Sequence, residues 1–136
     1  MPAYLLDSGI LIRHLRNRRG YHELLQRLSQ DNDLVISAFS RVEVLRGMRE
    51  HERERTYLLL DGLLTHPLDK DTADRAGELL RQWEARGISM SGPDVVIAAS
   101  ALQIGATLVT TNPRHFPMPE LPLLAADDQG RVTLVL

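Results

Sequence analysis

Apolar positions along the chain follow two periods. Residues 3–6 (AYLL) form a short apolar run that stops at Asp7-Ser8-Gly9, the pattern of a buried strand leading into a turn. Residues 21–28 place apolar side chains at 21, 24, 25 and 28, which is helical spacing. Residues 33–37 (DLVIS) read as a second strand, and 37–48 read as a helix with Val42, Val44 and Leu45 inside it and Gly47 near its end. The spacing predicts helix again over 56–64, until Pro67 interrupts it. Residues 71–86 are strongly amphipathic, with Ala73, Ala76, Leu79, Leu80 and Trp83 on one face and Gly87 as a stop. Ser91-Gly92-Pro93-Asp94 opens a further helix, with Pro93 suited to its first position. Residues 95–102 are apolar nearly all round and rich in alanine, so that helix is buried on most sides; Gly105 ends it. A third strand is predicted over 106–110, a turn at Asn112-Pro113, and late strands over 121–125 and 132–136.

Strands separated by helices imply a parallel sheet covered on both faces. No repeat or linker breaks the pattern, and 136 residues suit one domain over 1–136. In such a fold ligands bind beyond the carboxyl ends of the strands, where Asp7 and Asn112 are expected.

Composition narrows the chemistry. With 43% hydrophobic and 25% charged residues, a largely disordered chain is excluded. The absence of cysteine excludes disulfides, a thiolate zinc site and a cysteine nucleophile, and fits a reducing cytoplasmic setting. No apolar run approaches the ~20 residues that span a bilayer, and the start of the chain does not read as a signal peptide. A net charge of −2 gives no global field for nucleic acid, so any such binding must use local patches. Arg13, His14, Arg16, Arg18 and Arg19 form one, and Arg41, Arg46, Arg49, Arg53 and Arg55 another, although both also fit solvated helix faces.

Three carboxylates are candidates for chemistry, each with a plainer reading. Asp7, like Ser8, can be an N-cap. Glu43 closes a Ser40-Arg41-Val42-Glu43 capping box, unless Ser37 is the cap and Glu43 lies inside the helix. Asp94 can simply offset the dipole of its helix. Taken together, each stands at a strand end or helix start, which in a parallel α/β fold is one edge. Three carboxylates in one cleft raise one another's pKa unless a cation neutralises them. Oxygen-only ligands select a hard ion, Mg²⁺ or Mn²⁺, which activates water and supports phosphodiester hydrolysis. His115 falls in the loop at the same edge, where it could touch a phosphate or serve structure. The chain contains no nucleophile elbow, P-loop or G-x-G-x-x-G.

Four segments carry a resemblance: Leu5-Leu6-Asp7-Ser8-Gly9-Ile10-Leu11-Ile12; Ser37-x-x-Ser40-x-x-Glu43-Val44-x-x-Gly47; Asp94-x-x-Ile97-Ala98-Ala99-x-Ala101; and Leu108-Val109-Thr110-x-Asn112-x-Arg114-His115-Phe116. In this order and at these separations they resemble the PIN-domain family, specifically the VapC-type toxins of bacterial toxin–antitoxin pairs. The match covers residues 3–117. The resemblance implies a three-layer α/β/α fold with a central parallel sheet, an acidic pocket for Mg²⁺ or Mn²⁺, and endoribonuclease activity on single-stranded RNA. By position, Asp7 and Asp94 would hold the metal most directly, and Glu43 would complete the pocket or orient water. Ser8 and Ser40 would steady the carboxylates. Asn112 stands where many members have Asp, which removes one charge and leaves one or two metal ions open. The family also implies a homodimer and a cognate antitoxin covering the pocket.

Two other classes compete. A phosphotransferase would use Asp7 as nucleophile, but its usual second Asp is here Gly9. A catalytically inactive PIN-like binding module would keep the fold, with Asn112 as its signature, against three intact acids.

Overall fold

The computed structural model describes residues 3–135. Six strands form one sheet in the order β3-β2-β1-β4-β5-β6. They are β1 (Ala3–Leu6), β2 (Asp33–Ser37), β3 (Leu64–His66), β4 (Thr107–Thr110), β5 (Leu123–Ala126) and β6 (Val132–Val135). The first five are mutually parallel, and β6 returns antiparallel along β5. The helices are α1 (Ser8–Leu15), α2 (Tyr21–Ser29), α3 (Ala38–Arg46), α4 (Arg53–Asp61), α5 (Lys70–Glu84) and α6 (Gly92–Ile104).

Alternation along the strands sends neighbouring side chains to opposite faces. Leu5, Val35 and Leu108 pack with Ala76, Leu79 and Trp83 of α5 and with the buried stretch of α6. Leu6, Ile36 and Val109 pack instead with residues of α1, α2, α3 and α4. The result is a three-layer α/β/α arrangement. Val95 through Ala101 are all buried, so α6 packs on every side, as its lack of a polar face requires.

Chain order matters for the site. The chain runs outward from β1 to β2 and β3, then crosses back to β4 on the other side of β1. The reversal falls between β1 and β4. Open α/β sheets place their ligands at such a point, beyond the carboxyl ends of the strands.

The sequence reading needs several local corrections. Helix does not persist over 56–64: α4 stops at Asp61 with Gly62 as C-cap, and Leu64–His66 pairs with β2 as an edge strand. Asp7-Ser8-Gly9 is not a free turn, because α1 begins at Ser8. Ser37, not Ser40, caps α3, so Ser40 and Glu43 lie inside the helix and no capping box forms there. Pro93 is the second residue of α6, because Ser91 caps it and Gly92 is the first. The buried face of α5 takes Thr72 in place of Ala73, which is exposed; Thr72 Oγ1 donates to Gln103 Oε1 at 2.6 Å. The late strand begins two residues after its predicted start, and the sheet is not wholly parallel because of β6. Of the strand predicted over 132–136, residue 136 lies outside the described residues.

Among the described residues, no helix is long and apolar enough to cross a membrane.

Candidate active site

Asp7 follows the last residue of β1 and caps α1. Its backbone N–H donates to Val109 O at 2.9 Å, which ties it to β4. Its side chain is 8% exposed, yet both carboxylate oxygens have donors. The Ser8 backbone N–H donates to Oδ1 and the Thr110 hydroxyl to Oδ2, both at 2.7 Å. Thr110 is fully buried at the end of β4, and its Oγ1 accepts from the Asn112 backbone N–H at 3.0 Å. A relay therefore runs from the loop after β4, through Thr110, to Asp7.

Glu43 is held from the other side. Ser8 Oγ lies 2.7 Å from Glu43 Oε1 and 3.0 Å from Ser40 Oγ, and Ser40 is fully buried. With one hydroxyl proton, Ser8 serves the shorter, charge-assisted contact to the carboxylate. Ser8 thus gives its backbone to Asp7 and its side chain to Glu43.

Asp94 comes from the first turn of α6, where its backbone N–H donates to Ser91 Oγ at 3.2 Å. Its Oδ2 is 3.2 Å from Nδ1 of His115, which belongs to the single 3₁₀ turn after β4. His115 is therefore a partner of a candidate acid.

Electrostatics join the three acids. Burial pushes the Asp7 carboxyl above its ordinary range. The Thr110 and Ser8 hydrogen bonds pull it back, and the charges of Asp94 and then Glu43 raise it further. Asn112, by contrast, is exposed, and its side-chain amide donates to Thr111 Oγ1 at 3.3 Å rather than to any carboxylate.

Gly9 has a steric reason to lack a side chain. A Cβ there would come within 3.1 Å of Thr111 Oγ1, so a side chain would require the Thr111 hydroxyl to shift by a few tenths of an ångström.

Thr110 stands in the fourth segment of the resemblance, but the sequence gives it no role of its own. A β-branched residue ending a strand needs no special explanation, and its role follows only from the β1–β4 register, which pairs Leu6 with Val109.

The donor set suits a hard divalent cation: carboxylate and hydroxyl oxygens, with no sulfur and one imidazole already committed to Asp94. Among the described residues, no three His, Cys, Asp or Glu side chains close to the spacing of an all-protein metal cage.

Comparison with known proteins gives a consistent picture. A family model described as "PIN domain" matches residues 4–119. The chain is 35% identical over 116 residues to ribonuclease VapC10 of Mycobacterium tuberculosis, covering 85% of this chain and 87% of that protein. It is 33% identical over 119 residues to ribonuclease VapC19 of the same organism, covering 86% and 95%. Among solved structures, a toxin–antitoxin complex from Klebsiella pneumoniae contains a chain superposing with TM-score 0.74 at 26% identity, covering 88% of this chain and 95% of that one. VapBC2 of Rickettsia felis, solved bound to promoter DNA, superposes with TM-score 0.78 at 24% identity, covering 89% and 96%.

Proposed function

The chain belongs to the PIN-domain family, and from that premise we propose that it is a VapC-type endoribonuclease, the toxin of a toxin–antitoxin pair. It hydrolyses phosphodiester bonds of single-stranded RNA and depends on Mg²⁺ or Mn²⁺. The reading rests on relatives named ribonucleases and, above all, on one observation. At the point where the strand order reverses, Asp7 is a buried carboxylate, pushed up first by that burial and further by the charges of Asp94 from α6 and Glu43 from α3.

Asp7 and Asp94 would hold the cation, and Glu43 would complete the pocket or orient the attacking water. When bound, the ion supplies an activated water and neutralises charge building on the phosphate. Thr110 and the Ser8 backbone fix both oxygens of Asp7. Ser8 and Ser40 keep Glu43 from swinging into solvent. His115 steadies Asp94, and Asn112 offers an uncharged amide oxygen at the pocket mouth. The water oxygen forms a bond to phosphorus, one P–O ester bond breaks, and the departing oxygen takes a proton. The protein partners are an antitoxin, in keeping with the Klebsiella complex, and a second copy of the chain. Its place is the cytoplasm.

The test is cleavage of cellular RNA by purified protein in Mn²⁺, with and without EDTA, followed by sequencing of the new ends. Cuts at a few sites are expected, lost on chelation and lost in Asp94→Asn. Cuts persisting in that variant sink the assignment of Asp94. A folded protein that makes no cuts is the inactive binding module.

Thr110→Val tests the relay to Asp7. Valine keeps the shape and the strand propensity but removes the donor that lowers the Asp7 pKa. Loss of a partner to a metal ligand costs about 10–100-fold in metal affinity. The half-saturating Mn²⁺ concentration for cleavage is expected to rise on that scale, and more at pH 6 than at pH 8, because the proton competes better for a carboxylate with a higher pKa. A metal titration indistinguishable from wild type would remove Thr110 from the site.

A further inference from the structure

RNA that is cut at the acids must bring its phosphates close to three carboxylates. Those carboxylates outweigh one divalent cation, so the strand is repelled unless the protein sets donors beside them. On α3, Arg41 stands two residues before Glu43, but it is already paired with Asp61 at 3.1 Å. On α1, Arg13 is placed differently.

Arg13 lies four residues after Gly9, on the same face of α1. Long side chains on a helix lean back toward its N-terminus. Arg13 does so, and its guanidinium returns to the end of α1 that carries Asp7. A Cβ added at Gly9 would lie 3.8 Å from Arg13 Nη1 and 3.1 Å from Thr111 Oγ1. The two polar groups thus flank the bare backbone of Gly9, two residues from Asp7. The guanidinium makes no hydrogen bond among the described residues. Its ion-pair partner, Asp128 Oδ1, is 4.0 Å away on a side chain that is 94% exposed. So loose and open a pair holds its cation weakly. The ring of Tyr21, fully buried, lies 5.9 Å from the guanidinium carbon and backs it along the helix.

Thr111 follows Thr110, whose hydroxyl donates to Asp7. Thr111 Oγ1 accepts from Asn112 Nδ2 at 3.3 Å, and its own proton has no acceptor among the described residues. A guanidinium fork beside a free hydroxyl presents the donors that phosphate oxygens take, and Gly9 has no side chain to cover them. We propose that Arg13, with the Thr111 hydroxyl, binds a phosphate of the RNA strand beside the scissile linkage and holds the strand against the acids. The proposal rests on the ribonuclease reading above and adds to it a residue that positions the substrate. A carboxylate of a protein partner could meet the same donors. Their place, one residue from Thr110 and two from Asp7, favours the chain that must reach those acids.

The test follows cleavage of a labelled single-stranded RNA of a dozen nucleotides, in saturating Mn²⁺, across a series of KCl concentrations. Where chemistry is slow, KM reads the dissociation constant. Arg13→Ala is expected to raise KM about tenfold or more, the range of a hydrogen bond to a charged group, with kcat changed less. The slope of log KM against log salt should fall by about 0.7, the share of one phosphate contact to a single strand. Arg13→Lys keeps the charge without the fork, so it should keep the slope while KM rises part of the way. Asp128→Asn removes the loose ion pair and is expected to leave KM unchanged or lower it. Melting curves check that each variant is folded. An alanine variant with wild-type KM and slope overturns the proposal and leaves the ribonuclease reading intact. So does Asp128→Asn as impaired as Arg13→Ala, which makes Arg13 a tether for the turn between β5 and β6. So does a raised half-saturating Mn²⁺ concentration in Arg13→Ala, which assigns the arginine to the acids and not to the strand. So does loss of antitoxin binding with KM preserved, which assigns the donors to the protein partner. A wild-type protein that cleaves no RNA overturns the ribonuclease reading itself, and the proposal with it.

Discussion

Asp7→Asn is expected to lower RNA cleavage by more than the about 10–100-fold that losing an outer partner of a metal ligand costs, since the proposed site would lose a carboxylate holding its cation, while raising the melting temperature of the metal-free protein by a few degrees at pH 8. The two effects share one cause. Asp7 is buried beside two acids, and its pKa is raised in the folded state. A raised pKa means that the folded protein binds this proton more tightly than the unfolded chain does. The associated stability is fully present below the unfolded pKa of about 3.9 and is lost as pH rises through the folded value. At pH 8 the metal-free wild type carries the whole penalty. Asparagine keeps an oxygen for the Ser8 N–H and can pair its amide with the Thr110 oxygen, without the charge. The gap in melting temperature between variant and wild type should therefore widen from pH 4 to pH 8. A divalent cation should reverse it by binding the wild type: at about 100 times its Kd an ion adds about 2.7 kcal/mol to the folded state. Thermal unfolding across pH, with and without Mn²⁺, reads all of this. A gap that does not change with pH, or a variant that still cuts RNA, refutes the role given to Asp7.

Trp83→Ala is expected to cost about 3–5 kcal/mol, enough to consume much of the stability of an ordinary domain. Trp83 is 5% exposed on α5 and belongs to the core layer shared by Leu5, Val95 and Leu108. Removing it opens a void against α6, the helix that presents Asp94. Trp83→Phe should behave differently. The indole Nε1 is buried with no protein hydrogen-bond partner among the described residues, so phenylalanine sheds an unpaired polar group as it gives up volume. The two terms offset, and a loss of less than about 1.5 kcal/mol is expected. Urea unfolding midpoints measure both variants. Similar large losses would mean that the indole nitrogen or the full ring area carries the contact.

The legible parts of the chain were those where local pattern and tertiary demand agree. The strand at Asp33–Ser37 has its predicted bounds, because an apolar run there is closed by a capping serine. The all-apolar helix after Pro93 is buried as its composition requires. Asp7, Glu43 and Asp94 were each open to a capping or dipole reading. What gathered them was the rule that strand ends and helix starts share an edge in a parallel sheet. The parts that escaped depend on contacts no local window contains. Leu64–His66 continues an apolar stretch that looks helical, and becomes a strand only because β2 offers an edge. The role of Thr110 depends on β4 pairing beside β1. The antiparallel return of β6 depends on a turn at 127–130 whose Asp127 side chain accepts from two backbone N–H groups.

The order of strands also sets a clock. β1 is made first but lies between β2 and β4, and the donor that fixes Asp7 arrives 103 residues later. A chain emerging from the ribosome carries Asp7, Ser8, Ser40 and Glu43 long before it carries Thr110 or the His115 that holds Asp94. The site proposed around Asp7 and Asp94 therefore cannot assemble until the chain has been made through His115. The residues of α1, α2 and α3 are made earlier, so they meet the solvent before that site is assembled.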